Sequence, residues 1–270
     1  MAGAVLMSIT AVSGAEAQTA VSFAGPYVGI NAGGGMLNDS GLGNCISPFN
    51  GLNGIGCVPQ SGLAGGLNGS GFIGGVQAGL NVPVPMSLPF FATIPTVIGF
   101  ELDMQGSTIS AGSTKAIPVG IAFVGGALNT TPGVTTASQQ LQWLSTLRAR
   151  IGYAGFDRML IYGTAGVAVG QVKETFNTSF PGTVYSGSTD SVKAGPTIGG
   201  GIEYLITDKL SIKGEGLYYD LGSDTQSVSN GLFQTGKEFR TRGAIFRLGL
   251  NYQFGFAATP APAATGDHRL

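Results

Sequence analysis

The chain is poor in the residues on which soluble enzymes depend. It has one histidine, two cysteines, 13 Lys+Arg and 14 Asp+Glu, so that charged residues make up 10% of its 270 positions. An ordinary soluble domain has roughly 25%, because a charged surface keeps it in solution. Few charges together with 47 glycines therefore favour an outer surface that faces lipid. The net charge of −1, without a basic stripe, gives no support to a nucleic-acid partner.

Long apolar helices are also missing. The longest charge-free run, between Asp39 and Glu101, is interrupted repeatedly by Gly, Asn and Pro. A membrane-spanning helix needs about 20 continuous apolar residues. If the chain enters a bilayer, the remaining option is a closed β-barrel, because every backbone polar group in lipid must be paired.

The scarcity of reactive side chains argues against catalysis. The single histidine, His268, lies two residues from the end of the chain, which removes any Ser–His or Cys–His dyad. No carboxylate pair is singled out, and no Cys-x-x-Cys motif indicates a metal. We therefore predict that the protein is not an enzyme and has no cofactor or metal site. In an oxidising compartment Cys45 and Cys57 are expected to form a disulfide, which closes a short loop and contributes roughly 3 kcal/mol.

The first residues have the pattern of an export signal. Ala2 to Ala15 is apolar, and Ala15-Glu16-Ala17 fits the small-x-small cleavage pattern, which predicts a signal peptide over 1–17 and a mature start at Gln18. No Lys or Arg precedes the apolar run, so an ordinary apolar N-terminal strand or helix is the alternative.

Alternation with period two is the main structural signal. In residues 240–254, Phe246, Leu248 and Leu250 share one face, while Arg247, Gly249 and Asn251 share the other, with Ile245 as an apolar exception on the polar face. Similar segments predict eight strands: Tyr27–Gly35, Gly71–Val82, Ile98–Gln105, Trp143–Tyr153, Met159–Val172, Lys193–Tyr204, Lys209–Asp220 and Arg240–Phe254. The sequence thus predicts an all-β, eight-stranded antiparallel up-and-down transmembrane barrel over 18–254, with both ends periplasmic.

The connections alternate in length, as in outer-membrane barrels. Residues 36–70, 106–137, 173–190 and 221–239 are long and polar and are expected outside the cell, whereas Ala154–Arg158 and Thr207–Asp208 are tight turns. Pro83–Pro95 fits poorly, because it is long and on the periplasmic side; either this turn is elaborated or the strand borders are wrong. Residues 255–270 form an Ala/Pro-rich segment predicted to be disordered. Five aromatic residues are expected in a periplasmic girdle: Tyr153, Tyr162, Tyr204, Tyr252 and Phe254.

The polar faces of the strands carry the charges expected in the lumen. Buried charges are costly unless paired, so these side chains should pair across the barrel. An eight-stranded barrel is just wide enough for its own side chains, which favours a salt-bridged plug over a conduction path. The nine predicted lumen residues, five cations and four anions, are Glu101, Asp103, Arg148, Arg150, Lys193, Glu203, Lys213, Glu215 and Arg247.

Three segments resemble a known family. They are residues 25–29 (GPYVG), 217–222 (LYYDLG) and 247–254 (RLGLNYQF). They are similar to the porin-like outer-membrane proteins of alphaproteobacteria, often called outer membrane immunogenic proteins, which are relatives of the OmpA transmembrane barrel. The resemblance implies an eight-stranded barrel in the outer membrane of a Gram-negative bacterium. It also implies that the final aromatic residue is read by the barrel-assembly machinery, a role that would fall to Phe254 with Tyr252, although sixteen residues follow Phe254 here.

Two classes of function remain open at this point. The first is a structural, surface-exposed protein that contacts outer-membrane lipid and lipopolysaccharide and presents loops to an unidentified partner. The alternative is a narrow porin-like channel or capture of haem, which some members of the resembling family are described as binding. Haem would need an axial ligand, for which Tyr185, Tyr218 and Tyr219 are conceivable, although interface aromatics are the simpler interpretation. The balanced lumen charges favour the first class.

Overall fold

A computed structural model describes residues 23–39, 45–47, 58–59, 67–84, 86, 94–124, 127–181, 183–229 and 234–254. The predicted signal peptide and the Ala/Pro-rich segment lie outside these ranges. Within them, no helix is long and apolar enough to cross a bilayer. The strands are β1 Gly25–Asp39, β2 Cys45–Ser47, β3 Val58–Pro59, β4 Leu67–Pro83, β5 Thr96–Ser107, β6 Ser110–Val124, β7 Ala127–Phe156, β8 Met159–Phe180, β9 Thr183–Leu205, β10 Leu210–Ser229 and β11 Gln234–Gln253.

Eight of these strands form a closed antiparallel ring in the order β1-β4-β5-β7-β8-β9-β10-β11. The ring closes through β1 and β11, which pair from Tyr27↔Gln253 to Asn38↔Arg242. Each predicted strand corresponds to one strand of the ring. The predicted eight-stranded up-and-down barrel is therefore confirmed.

The period-two pattern places apolar residues outside and polar residues inside. On β5, Phe100 and Leu102 are 61% and 54% exposed, whereas Glu101 between them is 2% exposed.

We call the end of the barrel that carries Pro26 and Phe254 the periplasmic end. Tyr153, Tyr204, Tyr252 and Phe254 face outward there, as predicted, at 42–57% exposure. Tyr162 was wrongly predicted for this girdle: it is 5% exposed and points into the lumen, because residues 160, 162 and 164 form the inward set of β8.

Much of the predicted extracellular loop sequence is paired strand. β8 and β9 stay in register up to Phe180↔Thr183, and β6 and β7 form a hairpin that reaches Val124↔Ala127. Sequence patterning missed these extensions because no lipid faces the outer side of a strand beyond the membrane, so an apolar outer face is not required there. In the first connection, β2 pairs with β11 and with β3.

The Pro-rich periplasmic connection is an elaborated hairpin. β4 and β5 pair up to Pro83↔Val97, and the pairing continues through a bridge between Met86 and Ile94. The predicted strand borders here were therefore nearly right, and the extra length belongs to the turn.

Candidate functional site in the barrel lumen

Charged side chains from five strands meet in the middle of the lumen. They alternate with outward-facing residues, so each strand contributes the inward members of its period-two pattern. Eight of the nine predicted lumen residues lie in this group, which we call the central ionic cluster, and all are at most 5% exposed. Its members are Glu101 and Asp103 of β5, Arg148 and Arg150 of β7, Glu203 of β9, Lys213 and Glu215 of β10, and Arg247 of β11.

Arg148 lies at the centre of the cluster. Its Nη2 is 2.5 Å from Glu101 Oε1 and 2.9 Å from Asp103 Oδ2, and its Nη1 is 2.7 Å from Glu215 Oε1. Its Nε donates to Thr146 Oγ1 at 2.8 Å. The guanidinium therefore spans the lumen between β5 and β10, which a planar five-donor group can do and a lysine cannot.

Arg247 and Lys213 complete the neutralisation of the same carboxylates. Arg247 Nη2 is 2.6 Å from Glu215 and 2.7 Å from Asp103. Lys213 Nζ is 2.6 Å from Glu101. Each of the three carboxylates thus contacts at least two cations, which is the arrangement that makes burial of several charges tolerable.

Arg150 extends the cluster toward the periplasmic end. Its Nη2 is 2.8 Å from Glu203 Oε2, and its Nη1 donates to the Tyr27 hydroxyl at 2.9 Å. The guanidinium carbon lies 4.0 Å from the centroid of the Tyr162 ring, in range for a cation–π contact. Tyr27 in turn donates to Glu101, which connects this part to the centre.

The cluster is electrically balanced, with four cations and four carboxylates. The ninth predicted residue, Lys193, lies apart from it, nearer the extracellular end. Lys193 Nζ is 2.6 Å from Glu174 Oε1, which also accepts from Gln139 at 3.1 Å. Sequence reasoning missed Glu174 because it ended the strand at Val172, and this one omission accounts for the unequal predicted charge count.

Apolar layers close the lumen above and below the central ionic cluster. At the periplasmic end Phe23, Val97, Leu160 and Leu205 pack together, each at most 5% exposed. Toward the extracellular end a larger buried layer packs together and includes Leu37, Ile73, Leu144, Leu217, Tyr219 and Ile245. Ile245, the apparent exception to the alternation, is a member of this layer. Sequence reasoning assigned apolar residues to the lipid side and therefore did not foresee an apolar layer inside the barrel.

Each buried lumenal tyrosine has a glycine directly opposite it on the neighbouring strand. The pairs are Tyr27↔Gly79, Tyr162↔Gly201 and Tyr219↔Gly243. A Cβ at Gly79 would lie 2.4 Å from the Tyr27 ring, and a Cβ at Gly243 would lie 2.6 Å from the Tyr219 hydroxyl. The missing side chains make room for the rings in a narrow lumen.

The other predicted residues lie away from the lumen. Tyr252 and Phe254 stack edge-to-face at 5.3 Å on the outside of the periplasmic rim, and their role as an assembly signal stays a prediction. Cys45 belongs to β2, but Cys57 lies outside the described residues, so the disulfide also stays a prediction. Of the conceivable haem ligands, Tyr218 faces outward at 45% exposure and Tyr219 is fully buried.

Comparison with known proteins identifies the family. The sequence model of the family described as outer membrane protein beta-barrel domain matches residues 4–254 of this chain. The chain belongs to this outer-membrane β-barrel family. It is 33% identical over 257 residues to the 31 kDa outer-membrane immunogenic protein of Brucella melitensis biotype 1, covering 94% of this chain and 93% of that protein. It is 30% identical over 112 residues to the 22 kDa outer membrane protein of Rhizobium leguminosarum bv. viciae, covering 42% and 47% of the two chains.

These relatives confirm the predicted family of alphaproteobacterial outer-membrane proteins and the predicted location in the outer membrane of a Gram-negative bacterium. Among solved structures, the chain is similar to the outer membrane protein OprG of Pseudomonas aeruginosa, with 14% identity, a TM-score of 0.47 and coverage of 86% of this chain and 97% of that one.

Proposed function

We propose that this family member is a structural, surface-exposed outer-membrane protein, a non-conducting barrel that stabilises the envelope and presents extracellular hairpins. The observation that carries the proposal is the filled lumen. The central ionic cluster is neutral and inaccessible, and an apolar layer packs on each side of it.

A conduction path through this lumen would require several ion pairs to separate together. The side chains of Arg148 and Arg247 are 0% exposed, and each contacts three carboxylates. Breaking a buried pair by removing one partner costs about 3–5 kcal/mol. A continuous stripe of one charge sign, which would attract a permeating ion, is replaced here by a balanced set of opposite charges.

The extracellular strands support the display part of the proposal. β8 continues from Lys173, at the outer border of the apolar band, to Phe180, and it is paired with β9 throughout. Seven residues extend about 23 Å at roughly 3.3 Å per residue. A paired hairpin of this length holds its tip well above the membrane surface. Haem capture has no comparable support among the described side chains, because Tyr219 is buried in the lumen and Tyr218 faces the lipid side; the side chain of Tyr185 lies outside them.

Conductance and stability, measured on the same preparation, test the closed lumen. The refolded full-length chain in a planar lipid bilayer should show no steady conductance above that of the bare membrane. Its unboiled form should migrate differently from the boiled form in detergent gels, which shows that the barrel is folded. A folded preparation with regular single-channel steps would contradict the proposal and favour the narrow-channel alternative.

A variant with a shortened β8–β9 hairpin tests the envelope role and the display role separately. Asn177 pairs directly with Ser186, so replacing residues 178–185 with Asn-Gly should close the hairpin with a two-residue turn. In a strain that lacks the protein, full-length and trimmed chains should restore resistance to detergent equally, while only the full-length chain exposes the hairpin to added protease. If deletion of the protein leaves detergent resistance unchanged, the envelope role is wrong.

A further inference from the structure

A small charged patch marks the extracellular border of the barrel wall on β10 and β11. Asp220, Arg240 and Arg242 all belong to the outward-facing sets of these strands, and we call them the outer-border patch. Arg240 Nη2 is 2.7 Å from Asp220 Oδ2. Arg242 is the direct neighbour of Asp220 on β10 and of Asn38 on β1, and it has no salt-bridge partner among the described residues. The three side chains of the patch together carry a net charge of +1, and both arginines lie next to Asp220.

The height of the patch coincides with the end of the apolar band. The outward residues just below it, Tyr218 and Met36, are 45% and 47% exposed, and below them the outward positions are apolar or glycine down to the periplasmic end of these strands. At the same height on the far side of the barrel, the indole of Trp143 donates to Gln171 at 2.8 Å, as expected of a tryptophan at a membrane interface. The outer-border patch thus lies where the headgroups of the outer leaflet begin.

A groove runs down the lipid-facing wall below this patch. Its volume is about 590 Å³, and its outward walls and floor come from Ala32, Ile202, Gly214, Gly216, Phe246 and Leu248. Phe246 and Leu248 lean over the two glycines, which leave the floor flat. We call this the β10–β11 groove.

We propose that the outer-border patch and the β10–β11 groove together bind lipopolysaccharide, with a lipid A phosphate on Arg242 and Arg240 and one acyl chain in the groove. Phe246 lies four residues below Arg242, about 13 Å along the strand, and less along the membrane normal because barrel strands tilt by about 35–45°. One leaflet is about 15 Å deep, half of a core of about 30 Å. The groove therefore lies within the outer leaflet, at the depth that an acyl chain reaches from a headgroup at the patch.

The charge of the patch selects the occupant. A phosphate carries up to two negative charges and binds guanidinium groups through paired hydrogen bonds, and a phosphorylated lipid in the outer leaflet supplies this group at the correct height. A second wall groove of about 570 Å³, lined among others by Val28, Val76, Ala78 and Met104, has no cation among the outward residues above it on β1, β4 and β5. It serves as an internal comparison. Lipid binding at this site is independent of the proposed function, because a closed barrel needs no bound lipid to remain closed.

Binding is measured with three defined lipids on the full-length chain refolded in neutral detergent. The probes are bisphosphorylated lipid A, its fully dephosphorylated form and phosphatidylglycerol, and native mass spectrometry counts the molecules retained. We expect one bisphosphorylated lipid A bound in preference to both other lipids. Equal retention of phosphatidylglycerol would overturn the assignment to lipopolysaccharide, and equal retention of the dephosphorylated form would overturn the role of the phosphate.

Variants test the two parts of the site separately. Arg242→Glu should weaken binding of bisphosphorylated lipid A by about tenfold or more, equivalent to about 1.4 kcal/mol for each tenfold. Lys209→Glu, an identical charge change at an exposed periplasmic turn, should not. Gly214→Val fills the groove, since its Cβ would meet only Leu248 at 3.7 Å, and it should weaken binding where Ala78→Val in the second groove does not.

Loss of binding can be distinguished from misfolding, because folding is checked on the same samples by the heat-dependent shift in gel mobility. Arg242→Gln provides a milder second variant if Arg242→Glu does not fold. Unchanged affinity in a folded Arg242 variant would overturn the headgroup site, and unchanged affinity in Gly214→Val would overturn the acyl groove. Conductance of the Arg242 variants should stay absent, so failure of this inference would leave the closed-lumen proposal intact.

Discussion

Replacing Arg148 with alanine tests whether the central ionic cluster holds the barrel together. The side chain contacts three carboxylates, Glu101, Asp103 and Glu215, at 2.5–2.9 Å. Without it, four buried carboxylates face three cations, so the lumen keeps one uncompensated negative charge. Removing one partner of a buried ion pair costs about 3–5 kcal/mol. This is a large fraction of the roughly 5–15 kcal/mol by which a folded domain is stable.

The measurement is urea unfolding of the chain refolded in lipid vesicles. The single tryptophan, Trp143, lies at the membrane border and reports the transition by its fluorescence. The surface control is Asp208→Asn, which removes a pair with Arg158 in which the Asp208 side chain is 80% exposed. An exposed pair contributes about 0–1 kcal/mol, so this control should unfold nearly like the wild type.

Restoring the charge balance separates electrostatics from packing. Arg148→Met combined with Asp103→Asn leaves three cations and three carboxylates, and it should be less destabilised than Arg148→Met alone, because the unpaired charge is gone. Conductance should stay low in all variants that fold. The reasoning is refuted if Arg148→Ala loses less than about 1 kcal/mol, or if it gains a large conductance while its unfolding curve is unchanged.

Three further predictions, the first with a matched control, test other parts of the barrel. Leu102→Arg places a charge on the lipid face near mid-membrane and should cost about 2–4 kcal/mol; Thr108→Arg, outward at the extracellular border, should cost about 0–1 kcal/mol, and equal losses would mean that the apolar band is misplaced. Ile245→Ala opens a cavity in the inner apolar layer and should lower the free energy of unfolding by about 2–5 kcal/mol; a loss below 1 kcal/mol would show that this layer is loosely packed. Phe254→Ala should reduce the amount of protein in the outer membrane without changing its unfolding in vesicles, and normal amounts in the membrane would exclude Phe254 as the assembly signal.

The lumen shows where sequence patterning succeeds and where it stops. Alternation predicted which residues face inward, and it therefore selected all eight members of the central ionic cluster. It did not predict the pairing, because which cation meets which carboxylate depends on the stagger of eight strands around the ring. Glu174 and Tyr162 show the two kinds of error: Glu174 lies beyond the point at which lipid imposes an apolar outer face, and Tyr162 carries an aromatic ring that suits the membrane border as well as the lumen.

The sequence by itself determined the class of fold and the two faces of each strand. Few charges, no apolar helix and eight period-two segments are compatible with a lipid-facing barrel, because lipid requires an apolar outer face and a fully paired backbone. Only the tertiary structure decided how the lumen is filled. The filling depends on apolar layers assembled from strands far apart in the chain and on tyrosines that fit opposite glycines, as in Tyr27↔Gly79. Those contacts form only once ring closure fixes the distance across the barrel.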